Sequence, residues 1–557
     1  MRDRFQTTSL VCALVAVLVA PSCKCGGGDK SADKTDTPPG PFPSLEQPEY
    51  EIEPTTEIAS SPALVEEGRA VYARRCAPCH GDEGKGDGQA AYLLYPKPRN
   101  FYSGRMHFVS TWEGYPTDND LYRIISRGVP GSAMPSWAHL TERSRWSLVH
   151  FVKTLPRRPI QIKPTKEPES KDVPGQGIIA LPTEPVADQA SLARGAEVFA
   201  EVCAPCHGPR GLGDGKDADK LVDDEGIPIR PRDLTTGVFK GSHRPEHLYR
   251  RVLAGIPGTP MPSTPMLQGD DAWHVVHFVR SLSSDALRER AEMKRYRLAA
   301  ARVAELPDHP DSGVWQNTPG TVLHLMPLWW RYNRPEYLTV QAAHDGSDLV
   351  VLLTWADESE DNRVIRPQDF RDAAAVEFAD NIGDPPFFGM GEHGQFVNLW
   401  MWKAEREADL AGFNDLEAQY PNTGIDSYPN LTKSPYEQPM RHALTLDSDP
   451  TFITAWGAGN IVSDPTRRSA AEDLSAQGFG TLLARPLGDQ DVHAHGVYTH
   501  GSYRVMFRRS LKPKGEKAMK FEPGDTVLAA FAIWNGSAGD RDGKKSVSIW
   551  QELVLLP

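Results

Sequence analysis

Read for its apolar positions alone, the chain falls into stretches of different period. An apolar run from Leu10 to Ala20 follows Arg2 and Arg4 and is short for a membrane span, which needs about 20 residues. Residues 24–60 are rich in Pro, Thr, Gly and charge, and residues 157–188 in Pro, Lys and Glu, so both read as extended linkers. Residues 61–156 and 189–284 carry helical spacing, plainest in the aromatic segments WSLVHFV from Trp146 and WHVVHFV from Trp273. Residues 285–306, dominated by Arg, Ala, Leu and Glu, predict a connecting helix. From residue 307 the pattern turns strand-like, in DLVVLLTW from Asp348, VNLWMW from Val397, YRVMFRR from Tyr503, TVLAAFAIW from Thr526 and an alternating run from Ser546 to Leu556. At 557 residues the chain is too long for one core. The predicted fold class is multidomain: two all-α domains, 61–156 and 189–284, then an all-β sandwich over 307–557.

The two helical stretches repeat each other. CAPCH occurs at Cys76, Cys79 and His80 and again at Cys203, Cys206 and His207, a shift of 127 residues. Two thiols at this spacing add to the two vinyl groups of one haem, and the following residue sets an imidazole against the iron. Zinc sites and redox dithiols also use Cys-x-x-Cys, but neither needs the adjacent histidine or a repeated methionine downstream. Two covalent haem c groups are therefore expected.

Met134 and Met261 keep the same shift, each 54 residues after its histidine. Their surroundings also correspond, GVPGSAMPS from Gly128 answering GIPGTPMPS from Gly255. A loop methionine alone is commonly a core gap-filler, but duplication at matched spacing on a Pro-flanked loop favours ligation. Both copies resemble class I cytochromes c. That resemblance implies His/Met ligation by His80 with Met134 and His207 with Met261, leaving no open position for substrate. It also implies a backbone carbonyl for each ligand histidine and an arginine near a haem propionate, with Arg99 and Arg232 as candidates. His107, His150, His243 and His277 are rival ligands; His150 and His277 sit beside core positions of the aromatic helices, which favours a structural role.

Composition narrows the setting. The formal charge of −13 is spread along the chain without a basic patch, which argues against nucleic acid as a partner. Residues 1–23 read as an export signal, so the expected location is the periplasm or the outer face of a bacterial membrane. Cys23 resembles a lipoprotein cleavage site; ordinary signal-peptidase cleavage and retention as an anchor are the alternatives. Of seven cysteines, Cys12, Cys23 and Cys25 belong to this leader region, and the four haem cysteines remain, so no disulfide framework is expected.

The strand-rich part alone admits a carbohydrate-binding or interaction module, with Trp329, Trp330 or Trp400 as stacking surfaces. However, FRDAAAVEF from Phe370, PPFFGMGEHGQFVNLWMWKA from Pro385 and FAIWNGSAGDRDGKKSVSIWQEL from Phe531 resemble the haem b-binding γ subunits of dimethylsulfoxide-reductase-type molybdoenzymes. The resemblance implies a non-covalent haem b held by a methionine and a lysine. Met390 and Lys545 occupy those places, with Met440 and Lys544 as rivals and His493, His495 and His500 as further candidates. It implies an electron-transfer subunit that performs no chemistry on substrate itself. Its partners would be molybdopterin and iron–sulfur subunits, such as those of a nitrite, nitrate or related oxyanion oxidoreductase, and other cytochromes or a membrane quinone or oxidase system. The tandem cytochrome domains depart from the usual γ subunit. The spatial order of the three haems is then a matter of how the 157–188 linker folds back.

Overall fold

Ser61 starts the first helix: its hydroxyl accepts from the Leu64 amide, and Pro62 sits in the first turn, where its missing N–H costs nothing. The computed structural model describes residues 45–157, 177–267, 270–411, 419–422 and 467–557; the leader with Cys23, most of the 157–188 linker and Met440 lie outside these. The first repeat comprises α1 (Pro62–Arg75), α2 (Ala77–His80), α3 (Asp118–Arg127) and α4 (Glu142–Val152). Thr117 and Asp120 form a reciprocal capping box at the start of α3. α4 buries Trp146, Leu148, Val149 and Phe151 against Tyr72 of α1 and Tyr122 of α3.

Gly68 makes the close α1–α4 crossing possible, since a Cβ there would lie 2.0 Å from the Ser147 carbonyl oxygen. The second repeat comprises α5 (Gln189–Val198), α6 (Ala204–His207), α7 (Pro245–Ala254) and α8 (Asp270–Ser281), followed by the short α9 (Asp285–Arg290). Gly195, again shifted by 127, meets the His274 carbonyl at the same 2.0 Å. One local difference is a π-helical turn over Phe199–Cys203, just before the second haem motif.

The C-terminal strands are β1 (Arg297–Arg302), β2 (Gly320–His324), β3 (Met326–Pro327), β4 (Tyr337–His344), β5 (Asp348–Ala356), β6 (Ala373–Ala379) and β7 (Val397–Lys403). After helix α10 (Ala404–Ala411) come β8 (Ala471–Ala476), β9 (Leu483–Ala484), β10 (His493–Thr499), β11 (Ser502–Ser510), β12 (Thr526–Trp534), β13 (Ser546–Val547) and β14 (Gln551–Leu555). Hydrogen bonding runs in the order β10-β11-β5-β4-β1-β14-β12-β6-β7-β8-β9. The sheet folds over on itself: Trp355 of β5 meets Trp402 of β7 at 6.4 Å between ring centroids, although β5 and β7 are far apart in that order. Between the two layers lies one core containing Leu353, Phe378, Trp400, Phe507 and Phe531.

The connecting helix expected over 285–306 is corrected. Only Asp285–Arg290 is helical, and Arg297–Arg302 is a strand that pairs in parallel with β14 on one side and β4 on the other. Helix propensity of its alanines loses to non-local pairing that buries Ala300 and Ala301 completely. This strand is the seam that joins the layers. The run from Ser546 to Leu556 is also interrupted, by residues 548–550, into β13 and β14. Among the described residues no helix is long and apolar enough to cross a membrane.

Candidate haem sites

α1 and α2 deliver the first haem motif to a cleft closed by α3 and α4. The His80 Nδ1–H donates to the Arg99 carbonyl at 3.0 Å, which leaves Nε2 free to face an iron. The ring stacks on Phe101 at 4.7 Å. Burial holds the imidazole below its ordinary pKa against the opposing pull of the Arg99 carbonyl, favouring the neutral form that ligation needs. Met134 sits on a Pro-bounded loop pinned by the Val129 amide, which donates to the Met134 carbonyl at 3.0 Å.

The second cleft reproduces that pin, the Ile256 amide donating to the Met261 carbonyl at 3.1 Å. It departs at His207, whose Nδ1 is buried without a hydrogen-bond partner. Cys76, Cys79, His80 and Met134 line the same cavity, of about 780 Å³, as Cys203, Cys206, His207 and Met261. The two clefts are therefore one continuous space. The rival histidines have other partners: His150 Nε2 bonds the Ile58 carbonyl at 2.7 Å, His277 the Ser191 hydroxyl at 2.7 Å, and His243 lies 3.0 Å from Glu292. His107 lines the cavity but donates to the Pro257 carbonyl at 2.6 Å.

Where the clefts meet, the walls carry Arg99, Arg232, Lys240 and Arg251. Burial, then the charges of Arg232 and Arg251, push the Lys240 ammonium down to about 7. Burial, then Arg127, brings Arg251 to about 10, and burial, then Arg334, brings Arg232 to about 9. Among the described residues no carboxylate acts on Lys240 or Arg251, whereas Glu336 acts on Arg232, and Asp223, Asp224 and Glu225, which line the cavity, act on Arg99. Arg232 donates to the Gly131 carbonyl, yet its Nη1 is buried without a partner. Half-buried cations without a carboxylate partner, Lys240 and Arg251 here, favour an anionic ligand. Haem propionates are carboxylates, so thiol pair, oriented histidine, methionine loop and orphaned cations together fit haem. Lys240 and Arg251 were not singled out from the sequence, because neither lies in a motif that the two repeats share.

The sandwich carries a different surface. β6 and β12 alternate: Ala374, Val376, Phe378, Val527, Ala529 and Phe531 enter the core, while Ala373, Ala375, Glu377, Ala379, Leu528, Ala530, Ala532 and Trp534 form the other face. Five of these eight side chains are alanines, and the face is almost wholly covered by its neighbours. Met390 packs at one end, with Ala379, Leu528 and Ala530. Lys545 stands 4.7 Å over the Trp534 ring. Glu377 lies between them and feels both the Lys545 ammonium and the Met390 amide. Burial holds its carboxyl above the usual range and holds Lys545 below the usual ammonium range. One Glu377 oxygen is buried without a partner. A lysine disposed toward its neutral form fits the requirement for a metal-ligating amine. Met390 also adopts a left-handed backbone (φ 79°), rare for a side chain of its size, with its carbonyl accepting from Gly478 at 2.7 Å.

The rivals separate. Lys544 Nζ donates to the Ala538 carbonyl at 2.8 Å, and His495 pairs with Glu407 at 2.7 Å. Trp400 is fully buried and cannot present a stacking surface. Trp330 is covered by the guanidiniums of Arg232 and Arg334, and Trp329 lies against Tyr95. Glu377, Phe387 and Phe388 are neighbours of the Met390 loop that sequence reading passed over; the Phe-Phe pair two residues before Met390 was the available signal.

Comparison with known proteins agrees with this division. Residues 63–152 and 190–279 each match the family described as cytochrome c oxidase, cbb3-type, subunit III, and residues 313–546 match the ethylbenzene dehydrogenase family. A protein of Haloferax mediterranei named for the haem subunit of a respiratory nitrate reductase is 27% identical over 256 residues, 45% of this chain and 69% of its own length. The chlorate reductase γ subunit of Ideonella dechloratans is 25% identical over 253 residues, 43% of this chain and 77% of that subunit. The dimethylsulfide dehydrogenase γ subunit of Rhodovulum sulfidophilum is 25% identical over 255 residues, 44% of this chain and 73% of that subunit. With paired haem clefts in its helical half and the matched sandwich behind them, the chain is a haem-binding fusion of two cytochrome c domains with a γ-subunit-like domain of the ethylbenzene dehydrogenase family.

Proposed function

We propose that this chain is an exported electron-transfer subunit carrying two haem c groups and one haem b, and that it serves a molybdenum and iron–sulfur oxidoreductase. Cys76, Cys79, His80 and Met134 hold the first haem c, and Cys203, Cys206, His207 and Met261 the second. Met390 and Lys545 hold haem b. The haems, when bound, supply one-electron redox chemistry; the protein supplies ligands, propionate partners and exclusion of water. The observation that carries the reading is the convergence of Met390 and Lys545 on Glu377 at an alanine-rich face, in a chain that also holds two cysteine–histidine–methionine clefts.

The named relatives support a partner of the nitrate, chlorate or sulfide class, with the catalytic metal in another chain. The reading places the protein in the periplasm or on the outer face of a bacterial membrane, with Cys23 as the candidate point of lipid attachment. The test is a pyridine haemochrome assay on protein matured in a periplasm, before and after acid–acetone extraction. Two covalent haems and one extractable haem b per chain are expected. Full haem c with nothing extractable, in protein matured with excess haem, overturns the haem b assignment.

A further inference from the structure

We infer that the loop from Asp384 to Glu392 is a positioning device that docks the first cytochrome domain, and not the second, against the haem b site, with Phe387 and Phe388 as the packed contact between them. The inference rests on the reading of Met390 as a haem b ligand. Arg74 and Arg75 immediately precede Cys76. Arg74 reaches Asp384 at 2.9 Å and Glu392 at 2.5 Å, and Arg75 reaches Asp384 at 2.8 Å and Glu392 at 3.2 Å. Arg75 and Glu392 form the inner pair, 4% and 18% exposed, while Arg74 and Asp384 lie at the rim, 43% and 52% exposed.

Between the two carboxylates the loop turns inward. Trp550 Nε1 donates to the Pro386 carbonyl at 2.9 Å. Phe387 is buried in the cluster of Tyr72, Ala77 and Trp137, and lines the cavity that holds Cys76 and His80. Phe388 packs on Phe387 at 4.8 Å between centroids and also meets the cluster containing Met390. A second strap reaches the other proposed ligand: the Leu328 carbonyl accepts from the Tyr95 amide at 2.9 Å, and the Leu328 amide donates to the Lys545 carbonyl at 2.9 Å.

The duplicate shows why only one domain docks in this way. Shifted by 127, the positions of Arg74 and Arg75 are held by Glu201 and Val202, both exposed. Neither duplicate position carries a cation that could bind the loop. The resulting order is haem b, first haem c, second haem c, because the two haem c clefts already share one cavity. The haems, when bound, would exchange one electron at a time, one iron oxidised as the next is reduced and no bond made or broken, and Phe387 and Phe388 would fill the space between the two sites with apolar side chains.

The experiment uses the full chain with its haems, following re-equilibration between the b and c absorption bands after flash reduction. In Arg74→Glu/Arg75→Glu we expect unchanged haem content and b-to-c equilibration slowed on the order of tenfold. Adding Asp384→Arg/Glu392→Arg should restore the rate, and Glu201→Arg/Val202→Arg alone should leave it unchanged. Phe388→Leu, which keeps the apolar volume, reports on the same contact if the charge reversals fail to mature. It should slow equilibration without altering the ion pairs. Wild-type equilibration in the reversal variant, or in Phe388→Leu, overturns the inference. Absence of haem b from the unaltered chain would instead overturn the haem b assignment.

Discussion

Lys544 and Lys545 are neighbours in sequence with different surroundings: the first donates to the Ala538 carbonyl, while the second lies over the Trp534 ring beside Glu377. The chain turns between the Arg541–Lys544 bridge and β13, which starts at Ser546, and leaves the two ammonium groups in different environments, so the two substitutions should differ. Lys545→Ala is expected to abolish extractable haem b while both haem c groups stay attached. Lys544→Ala should retain it. Haem content per chain by extraction and mass decides this.

Met134 and Met261 should each close one iron to outside ligands. Reduced wild-type protein is then expected to bind no carbon monoxide at its haem c irons, while Met134→Ala and Met261→Ala each open one such site and the double variant two. Carbon monoxide difference spectra on protein depleted of haem b give the count. Binding by unaltered haem c would refute the proposed ligand set.

Gly68 and Gly195 each admit a carbonyl that a methyl group would strike. Gly68→Ala should push α1 away from α4 and destabilise the first domain by about 1–3 kcal/mol, the cost of overpacking. Gly195→Ala should do the same to the second. Thermal unfolding compared with Gly313→Ala, where nothing lies within 4 Å and the backbone, like that of Gly68 and Gly195, is not left-handed, isolates the packing clash.

Asp372 is fully buried, and burial, then the charge of Asp357, pushes its carboxyl up to about 7. Asp357 is raised to about 6, again chiefly by burial. In the unfolded chain both titrate near 4, so between those values the folded state holds protons the unfolded state has released. Their contribution is complete below about pH 4 and is lost as pH rises through 6 to 7, at up to about 1.4 kcal/mol per pH unit for each group. Asp372→Asn should flatten that decline. Urea midpoints for the two proteins between pH 5 and pH 8 test it; parallel curves would refute the assignment.

Recognition of the cytochrome half from sequence worked because haem attachment is written in five contiguous residues and echoed at a constant shift. Strands such as Asp348–Ala356 and Thr526–Trp534 were readable for a similar reason, their apolar runs being local. Arg297–Arg302 was not readable, since its alanines and arginines favour a helix until β4 and β14 flank them. The cation cluster was equally hidden: Arg99 comes from the first repeat and Arg232, Lys240 and Arg251 from the second, so the four line one cavity only when the repeats pack.

By itself, then, the sequence determined the two haem c motifs, their duplication and the change from helical to strand-rich structure, because each is set by covalent spacing or by side-chain periodicity over a few residues. Tertiary structure decided the rest. It merged the two clefts, made β1 the seam of the sandwich, brought Lys545 to Glu377 and set the Met390 loop against Arg74 and Arg75. Each of these joins residues far apart along the chain, and burial of charge and apolar surface is settled only when those distant segments meet.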